Sequence, residues 1–399
     1  MHLTKDEEKM LAGGYGEGYK KALEVLVRLG EFYGAECLVP INMAYVTMGV
    51  DSPDGALFSW LKEFADLGVT YRCPLTIAFG GGPERNRFEQ SLGAQFSFAF
   101  GGSATNLFPL PLYGQHVISG GTNDTTLFNG IIGARCNSEG PIGQYMGAIV
   151  GKTPKYGYLL PENRLGKTLF NITARLDDPT DWNVLGYYIS KTLNRHYWDV
   201  PVLTGIDRDT VMYENIISFC STIASYGACN HFLIEGISPE ARTLDDAFGG
   251  EKPGETFEVG DKQIKEVYDT FAPSGKKPDC VSLFAGGGVA QLYRLIKLVQ
   301  GKKVSKEIPL YFPMDVPTRY VADTYGLTGI LQEAGVQLGP MTYNGKPVDL
   351  WTAGKKSGLR AVVTDSTKNA HYVTQQEIEM ILLPFEKCVK VALAGKLEV

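Results

Sequence analysis

The sequence predicts an α/β protein built on mainly parallel sheets covered by helices on both faces. Three observations carry this. First, the C-terminal third alternates strand-like and helix-like stretches at 280–285, 289–300, 308–312, 317–325, 360–364 and 376–395, the pattern of crossover-connected parallel strands. Second, the 399 residues are 44% hydrophobic and only 21% charged, with 47 glycines and 21 tyrosines. That composition suits a compact, glycine-punctuated fold better than a helical bundle or a disordered chain. Third, a buried-looking strand over 279–284 runs into Ala285-Gly286-Gly287-Gly288 and then an amphipathic stretch over 289–298. Strand, glycine turn and helix start together present backbone N–H groups to an anion.

The elements follow in chain order. Thr4 and Glu7 have the spacing of a capping box, starting a short helix through Leu11. After Gly13-Gly14 a second helix covers 17–33, with Tyr19, Leu23, Leu26 and Leu29-Gly30 on one face. A buried strand follows at 37–46. To about residue 202, short apolar runs alternate with glycine turns (Gly80-Gly81-Gly82, Gly101-Gly102, Gly120-Gly121), and helices are expected at 56–67, 142–150 and 181–194. A helix at 214–228 and a strand at 231–236 complete an N-terminal lobe, 1–237. Residues 238–279, rich in glycine and proline, read as an inter-lobe connection, and 280–399 as a C-terminal α/β lobe. In such sheets ligands bind at the C-terminal strand ends, so the turns at 285–288, 313–318 and 365–368 are expected to converge.

Composition also excludes function classes. The net charge is −6 with no lysine or arginine run, which argues against nucleic-acid binding. No run of 18 apolar residues is present, and the start, Met1-His2-Leu3-Thr4-Lys5-Asp6-Glu7-Glu8, is acidic where a signal peptide is basic. The seven cysteines (37, 73, 136, 220, 229, 280 and 388) never show C-x-x-C spacing. Reduced thiols in a cytoplasmic protein are the natural reading. The five histidines show neither H-E-x-x-H nor facial-triad spacing, so no zinc or iron site is expected from them.

Several residues carry chemistry. Lys368 follows Asp365-Ser366 at the end of the hydrophobic run 359–363, placed to act as a general base or an anion clamp. A surface lysine at a helix N-terminus is the plainer reading. Ser366 fits both hydrogen bonding to a carboxylate and simple N-capping. Arg135 and Asn129, on a glycine-rich stretch, suit recognition of a carboxylate or phosphate, although Arg135 has Glu139 as a possible ion-pair partner. Gly286, Gly287 and Gly288 fit an anion cradle or an ordinary packing turn.

Longer phrases carry a resemblance. They include Leu3-Thr4-Lys5-Asp6-Glu7-Glu8-Lys9-Met10-Leu11, Gly133-Ala134-Arg135 with Glu139-Gly140-Pro141, and Gly151-Lys152-Thr153-Pro154 with Glu162-Asn163-Arg164. Further on come His231 with Gly236-Ile237-Ser238-Pro239-Glu240-Ala241, and Asp365-Ser366-Thr367-Lys368-Asn369-Ala370-His371-Tyr372. Over nearly its whole length the chain resembles the large subunit of the aconitase X family of dehydratases. The resemblance implies aconitase-like three-layer α/β/α lobes and a small swivelling domain, expected here as a separate subunit. It also implies removal of water from a small anionic hydroxy acid, and an iron–sulfur cluster held by three cysteines. The three cysteine positions fall near Thr105-Asn106-Leu107, at Ala285 and near Met341-Thr342-Tyr343, and none holds a cysteine. Asn106 is placed among the substrate-binding residues. The family's serine–alanine–histidine triplet aligns with Met43-Ala44-Tyr45, and a substrate-contacting asparagine with Ala78. Tyr45 fits either a proton relay or a filler of the space a cluster would take. His116 matches a family glycine–acid–histidine element and fits a substrate-site or a core histidine equally, while His371 and Tyr372 are expected to orient the Lys368 loop.

The expectation is therefore a lyase working by acid–base chemistry without a metal. Lys368, Ser366 and Tyr45 would be catalytic, while Arg135, Asn129, His116, Asn106 and the glycine turn would bind charge. Dehydration, isomerisation, cyclisation and cleavage all remain open. The alternatives are a non-catalytic scaffold retained beside an active partner, and an iron–sulfur hydro-lyase whose ligands have moved to Cys136, Cys280 and another thiol.

Overall fold

The computed structural model describes residues 1–48, 55–79, 82–97, 110–193, 199–227, 229–284, 288–339, 341–343, 346–347, 350, 357–375 and 377–397. Among these no helix is long and apolar enough to cross a membrane. The chain forms two compact units, both discontinuous in sequence. The first comprises Met1–Leu169, Trp198–Leu203 and Asn230–Glu255, and the second Phe170–Tyr197, Thr204–Cys229 and Thr256–Val399. Sequence reading places its boundaries at 237 and 279 instead, because composition marks where a chain is loop-like but not where it crosses between cores.

The first unit is organised on a parallel four-stranded sheet in the order Ala94–Phe96, Leu75–Phe79, Met43–Met48, Val117–Ser119. The expected strand at 37–46 is two strands. Leu38–Pro40 leaves this sheet to pair antiparallel with Lys152–Pro154. Strand alternation divides the side chains between two faces. Ala44, Val46, Ile77 and Ile118 enter one core with Leu23 and Leu26 of the helix Glu17–Phe32 and with Tyr145, Met146 and Ile149 of the helix Pro141–Val150. Tyr45, Ala78 and Val117 point the other way, into a smaller cluster with Phe128, Ala134 and Cys136. The helix Pro141–Val150 lies close because Gly147 has no side chain; a Cβ there would sit 2.0 Å from Ile118 Cδ1. At the N-terminus the capping box forms as expected, with Thr4 and Glu7 exchanging bonds. Glu7 also pairs with Lys152 at 2.6 Å.

The second unit carries another four-stranded parallel sheet, ordered Leu310–Tyr311, Cys280–Ser282, Ala361–Thr364, Glu379–Leu382. Val281, Ala361, Val363 and Ile381 share a core with the helices Gly288–Val299, Leu327–Ala334 and Phe385–Ala394. The long helices Pro179–Thr192 and Tyr213–Gly227 pack closely on each other and against the helix Thr367–Thr374. The stretch 376–395, expected as one helix, is the strand Glu379–Leu382 followed by the helix beginning at Phe385. A four-residue buried strand has no periodicity that separates it from helix, and Pro384 marks the break. The expected connection at 238–279 holds the helix Leu244–Phe248, the strand Glu255–Val259 and the helix Asp261–Thr270. Its polar, half-exposed elements resemble loop in composition.

Candidate functional site

In the second unit the strand Ala361–Thr364 ends at Asp365, and this carboxyl organises the C-terminal edge of the sheet. Its Oδ1 accepts the Phe284 N–H at 2.8 Å and its Oδ2 accepts the Gln291 side-chain amide at 2.9 Å. Phe284 follows the neighbouring strand, and Gln291 lies in the first turn of the helix Gly288–Val299. One buried side chain therefore ties two strand ends to a helix start. The Asp365 carbonyl accepts from Asn183 at 2.9 Å, and Asn183 Oδ1 in turn accepts the Thr367 N–H at 3.1 Å. A small cleft opens at this point, bordered by Asn183, Glu214, Phe284, Gln291, Arg294 and Asp365.

Burial governs the acidity of Asp365 and pushes its carboxyl up to about 7. The negative charge of Asp178 adds to the rise, while the Phe284 N–H and the Gln291 amide oppose it. Asp365 therefore gains and loses its proton near neutral pH, the range a catalytic acid or base requires.

Around this carboxyl the sequence candidates separate. Lys368 is half-buried in the first turn of the helix Thr367–Thr374. Ser366 takes the capping role, its Oγ accepting the Asn369 N–H at 3.2 Å, a bond that leaves its O–H as a donor. His371 and Tyr372 anchor this helix. The His371 ring stands edge-on to Tyr226 at 4.8 Å, and the Tyr372 hydroxyl donates to the Ser225 carbonyl at 3.2 Å. Of the three turns expected to converge, 365–368 is bonded to both flanks of the glycine turn. In the turn at 313–318, Asp315 instead caps its own helix through the Thr318 N–H at 2.9 Å. Gly288 opens its helix with φ 57°. Gly286, Gly287 and Asn106 lie outside the described residues.

In the first unit Asn129 is not available to a ligand. Its amide donates to the carbonyls of Cys136 and Asn230, both at 2.9 Å, and its Oδ1 accepts from the Cys136 N–H and from Arg164. All four of its hydrogen-bonding positions are used within the fold. Arg164 continues the network to Glu240 at 2.9 Å and to the Tyr158 carbonyl at 3.2 Å. Asn129 is therefore a structural hub, contrary to its expected role in substrate binding.

Tyr45 is buried, with its ring edge-on to Phe128 at 6.1 Å. His116 and Arg135 are bridge partners in a parallel pairing that opens the strand Val117–Ser119, and Ser119 and Ser138 close it. Because Val117 and Cys136 face the Tyr45 cluster, alternation turns His116 and Arg135 to the opposite face. The sheet thus keeps Tyr45 apart from these two charge-binding candidates. The Arg135–Glu139 ion pair is also not formed. Glu139 is buried with neither carboxylate oxygen hydrogen-bonded, and burial raises its pKa well above the usual carboxylate range. Neighbouring backbone N–H groups offset only part of that rise. Sequence reasoning gave Asp365 no role of its own and took Glu139 only as an ion-pair partner. The available signal was an acid directly after an apolar strand in the first case, and before Gly-Pro at a helix start in the second.

Family models match along the chain as aconitase X first domain over residues 1–101, second domain over 166–269 and third domain over 288–394. The chain belongs to the aconitase X family. This aconitase X chain is 28% identical over 405 residues to the phosphomevalonate dehydratase large subunit of Thermococcus kodakarensis, covering 98% of itself and 100% of that protein. It is 24% identical to the cis-3-hydroxy-L-proline dehydratase of Pseudomonas aeruginosa, over 93% of itself and 66% of that enzyme. Among solved structures, the holo-form of Thermococcus kodakaraensis aconitase X superposes with a TM-score of 0.81 at 27% identity, covering 98% of this chain and 100% of that one. The relatives are dehydratases, and the chain is accordingly an enzyme of the hydro-lyase type.

The residues present do not fit the thiolate-held cluster that the family resemblance implies. All seven cysteines lie among the described residues. No three histidine, cysteine, aspartate or glutamate side chains come together as metal ligands among those residues. Of the positions expected to supply thiolates, 105–107 and 285 lie outside the described residues. At the third, the Met341 thioether receives the Cys280 thiol at 3.8 Å. Burial pushes the Cys73 and Cys280 thiols up to about 12 and raises those of Cys136 and Cys388, all opposing the thiolate form. Cys136, the other residue named for relocated ligands, points its thiol at the Thr125 carbonyl, 3.8 Å away.

Proposed function

We propose that this chain is the large subunit of a hydro-lyase acting on a small anionic hydroxy acid. In this reading protonatable side chains take the place of a cluster, and a small swivelling subunit completes the enzyme. The observation that carries it is the Asp365 carboxyl, buried at the C-terminal strand edge beside a cleft and exchanging its proton at about pH 7. Dehydration breaks a C–H and a C–O bond, forms a C=C bond and releases water. One group must take the proton and another must protonate the departing hydroxyl. Asp365 in its acid form suits the second task, and the Lys368 amine suits the first. The Gln291 amide that donates to the carboxylate can turn its oxygen to accept from the acid, so both protonation states keep a partner. Isomerisation, cyclisation or cleavage of a related substrate would use the same pair. Tyr45 remains a candidate proton relay on its own face of the first unit.

The second reading, a non-catalytic scaffold, has support in the internal bonds of Asn129 and Ser366. The test incubates the protein, co-expressed with its small partner, with phosphorylated and cyclic-amino hydroxy acids and follows loss of water by mass spectrometry. Turnover independent of iron content, and lowered at least about 100-fold by Lys368→Met and by Asp365→Asn, is the expected result. Turnover that tracks iron would overturn the metal-free assignment. Full turnover in both variants would remove the proposed acid and base.

A further inference from the structure

A guanidinium, an ammonium and an imidazole in the first unit have no carboxylate partner among the described residues. His116 and Arg135 are parallel bridge partners, with the Arg135 N–H donating to the Gln115 carbonyl at 2.8 Å and the Val117 N–H to the Arg135 carbonyl at 3.0 Å. Residues paired in this way lie side by side on one face of a sheet. Lys155 follows the strand Lys152–Pro154, its N–H held by the Cys37 carbonyl at 2.9 Å. Asn137, two residues after Arg135 and on the same face, donates to the Tyr156 carbonyl at 3.1 Å and accepts the Tyr158 N–H at 2.9 Å. The 155–158 segment is thereby laid against the Arg135 side of the pairing.

The three side chains are half-buried. Arg135 Nε is wholly buried with no acceptor. The charged groups that bear on the His116 ring are Arg135 and Lys155; burial first, then these two, lower its basicity, and only the Pro40 backbone opposes them. No carboxylate pairs with any of the three among the described residues, in a chain whose net charge is −6. A desolvated guanidinium beside an ammonium is unfavourable until an anion neutralises it. A guanidinium fork with a flanking ammonium and an imidazole is also the donor set that holds a planar or tetrahedral oxyanion. Tyr113, exposed at the rim, sits over Gly133, where a Cβ would come within 2.6 Å of its ring.

We infer that His116, Arg135 and Lys155 form an oxyanion-binding site on the sheet face opposite Tyr45, taking a small phosphate or carboxylate group. The site lies within the first unit and does not depend on the acid–base pair assigned to Asp365 and Lys368, so it stands or falls separately from the proposed reaction.

The test follows the imidazole C2–H resonances of the full chain by NMR during pH titration, with His116 assigned by its loss in His116→Gln. Inorganic phosphate is the first probe and acetate the second, each against chloride at equal ionic strength. A bound oxyanion favours imidazolium, so the His116 midpoint should rise with a saturable dependence in about the millimolar range or below. Lys155→Gln and Arg135→Gln should each weaken that dependence about tenfold or more. If Arg135→Gln fails to fold, Lys155→Gln alone carries the comparison. A response to phosphate alone assigns a tetrahedral anion, and a response to both assigns a general carboxylate-and-phosphate site. A His116 midpoint that moves no more than in chloride, or that responds in both variants as strongly as in the parent, would overturn the inference.

Discussion

Asp365 illustrates how burial changes the acidity of an ordinary side chain. Its folded pKa, about 7, lies above the unfolded value near 3.8. The folded state therefore holds the proton more tightly. The contribution of this group to stability is complete below pH 4 and is lost as pH rises towards 7. Asp365→Asn keeps an acceptor for the Phe284 N–H and offers a donor to a turned Gln291. Urea unfolding of this variant should lack the decline between pH 4 and 7, with stability at pH 8 equal to or above that of the parent. A variant equally destabilised at every pH would show that the carboxyl acts only as a structural tie. Arg164 behaves in the opposite way, since its partners are already in place. Arg164→Met removes the guanidinium that serves Asn129, Tyr158 and Glu240, and should cost roughly 3–5 kcal/mol in denaturant titration. A loss under about 1 kcal/mol would show that the network is not held by this residue.

Among the elements, the close pairing of the helices Pro179–Thr192 and Tyr213–Gly227 supports the Asp365 corner. Asn183 on the first helix reaches the Asp365 carbonyl, and Thr222 on the second meets the Thr367 hydroxyl at 3.1 Å. The approach depends on Gly186, where a Cβ would lie 2.9 Å from the Phe219 carbonyl oxygen and 3.3 Å from the Ile223 nitrogen. Backbone cannot yield as a side-chain tip does. Gly186→Ala should therefore lower stability by about 1–3 kcal/mol despite the better helix propensity of alanine. It should also lower turnover by shifting Asn183. An unchanged melting temperature would mean that the helices can separate freely.

For the whole molecule, the donor chemistry makes a prediction about composition. Protein purified without oxygen, together with its small partner, should carry neither iron nor sulfide at cluster stoichiometry and should show no visible absorption. Iron and sulfide at that stoichiometry would require thiolates from cysteines that, apart from the partly exposed Cys37, are buried and are dispersed among the described residues.

Local chemistry in the sequence was sufficient for most elements and for the family. The Thr4–Glu7 capping box, the strand Cys280–Ser282, the helix Gly288–Val299 and the alternation after residue 280 each act over a few residues, where backbone hydrogen bonding and side-chain period decide the outcome. Arg135 and Lys368 were likewise visible as residues with chemistry to spare, whereas Asp365 stood only as a neighbour of Lys368. Their company was not. Asp365 meets Phe284 and Gln291 across 81 and 74 positions of sequence, and Asn129 is bound by Asn230 across 101. Neither contact has a local signature. A single step of strand alternation separates Tyr45 from His116 and Arg135, because each residue in a strand faces opposite to the next. Sheet register, the depth of burial that moves the Asp365 proton to neutrality, and the division into discontinuous units are properties of long-range packing. Only the tertiary structure decided them.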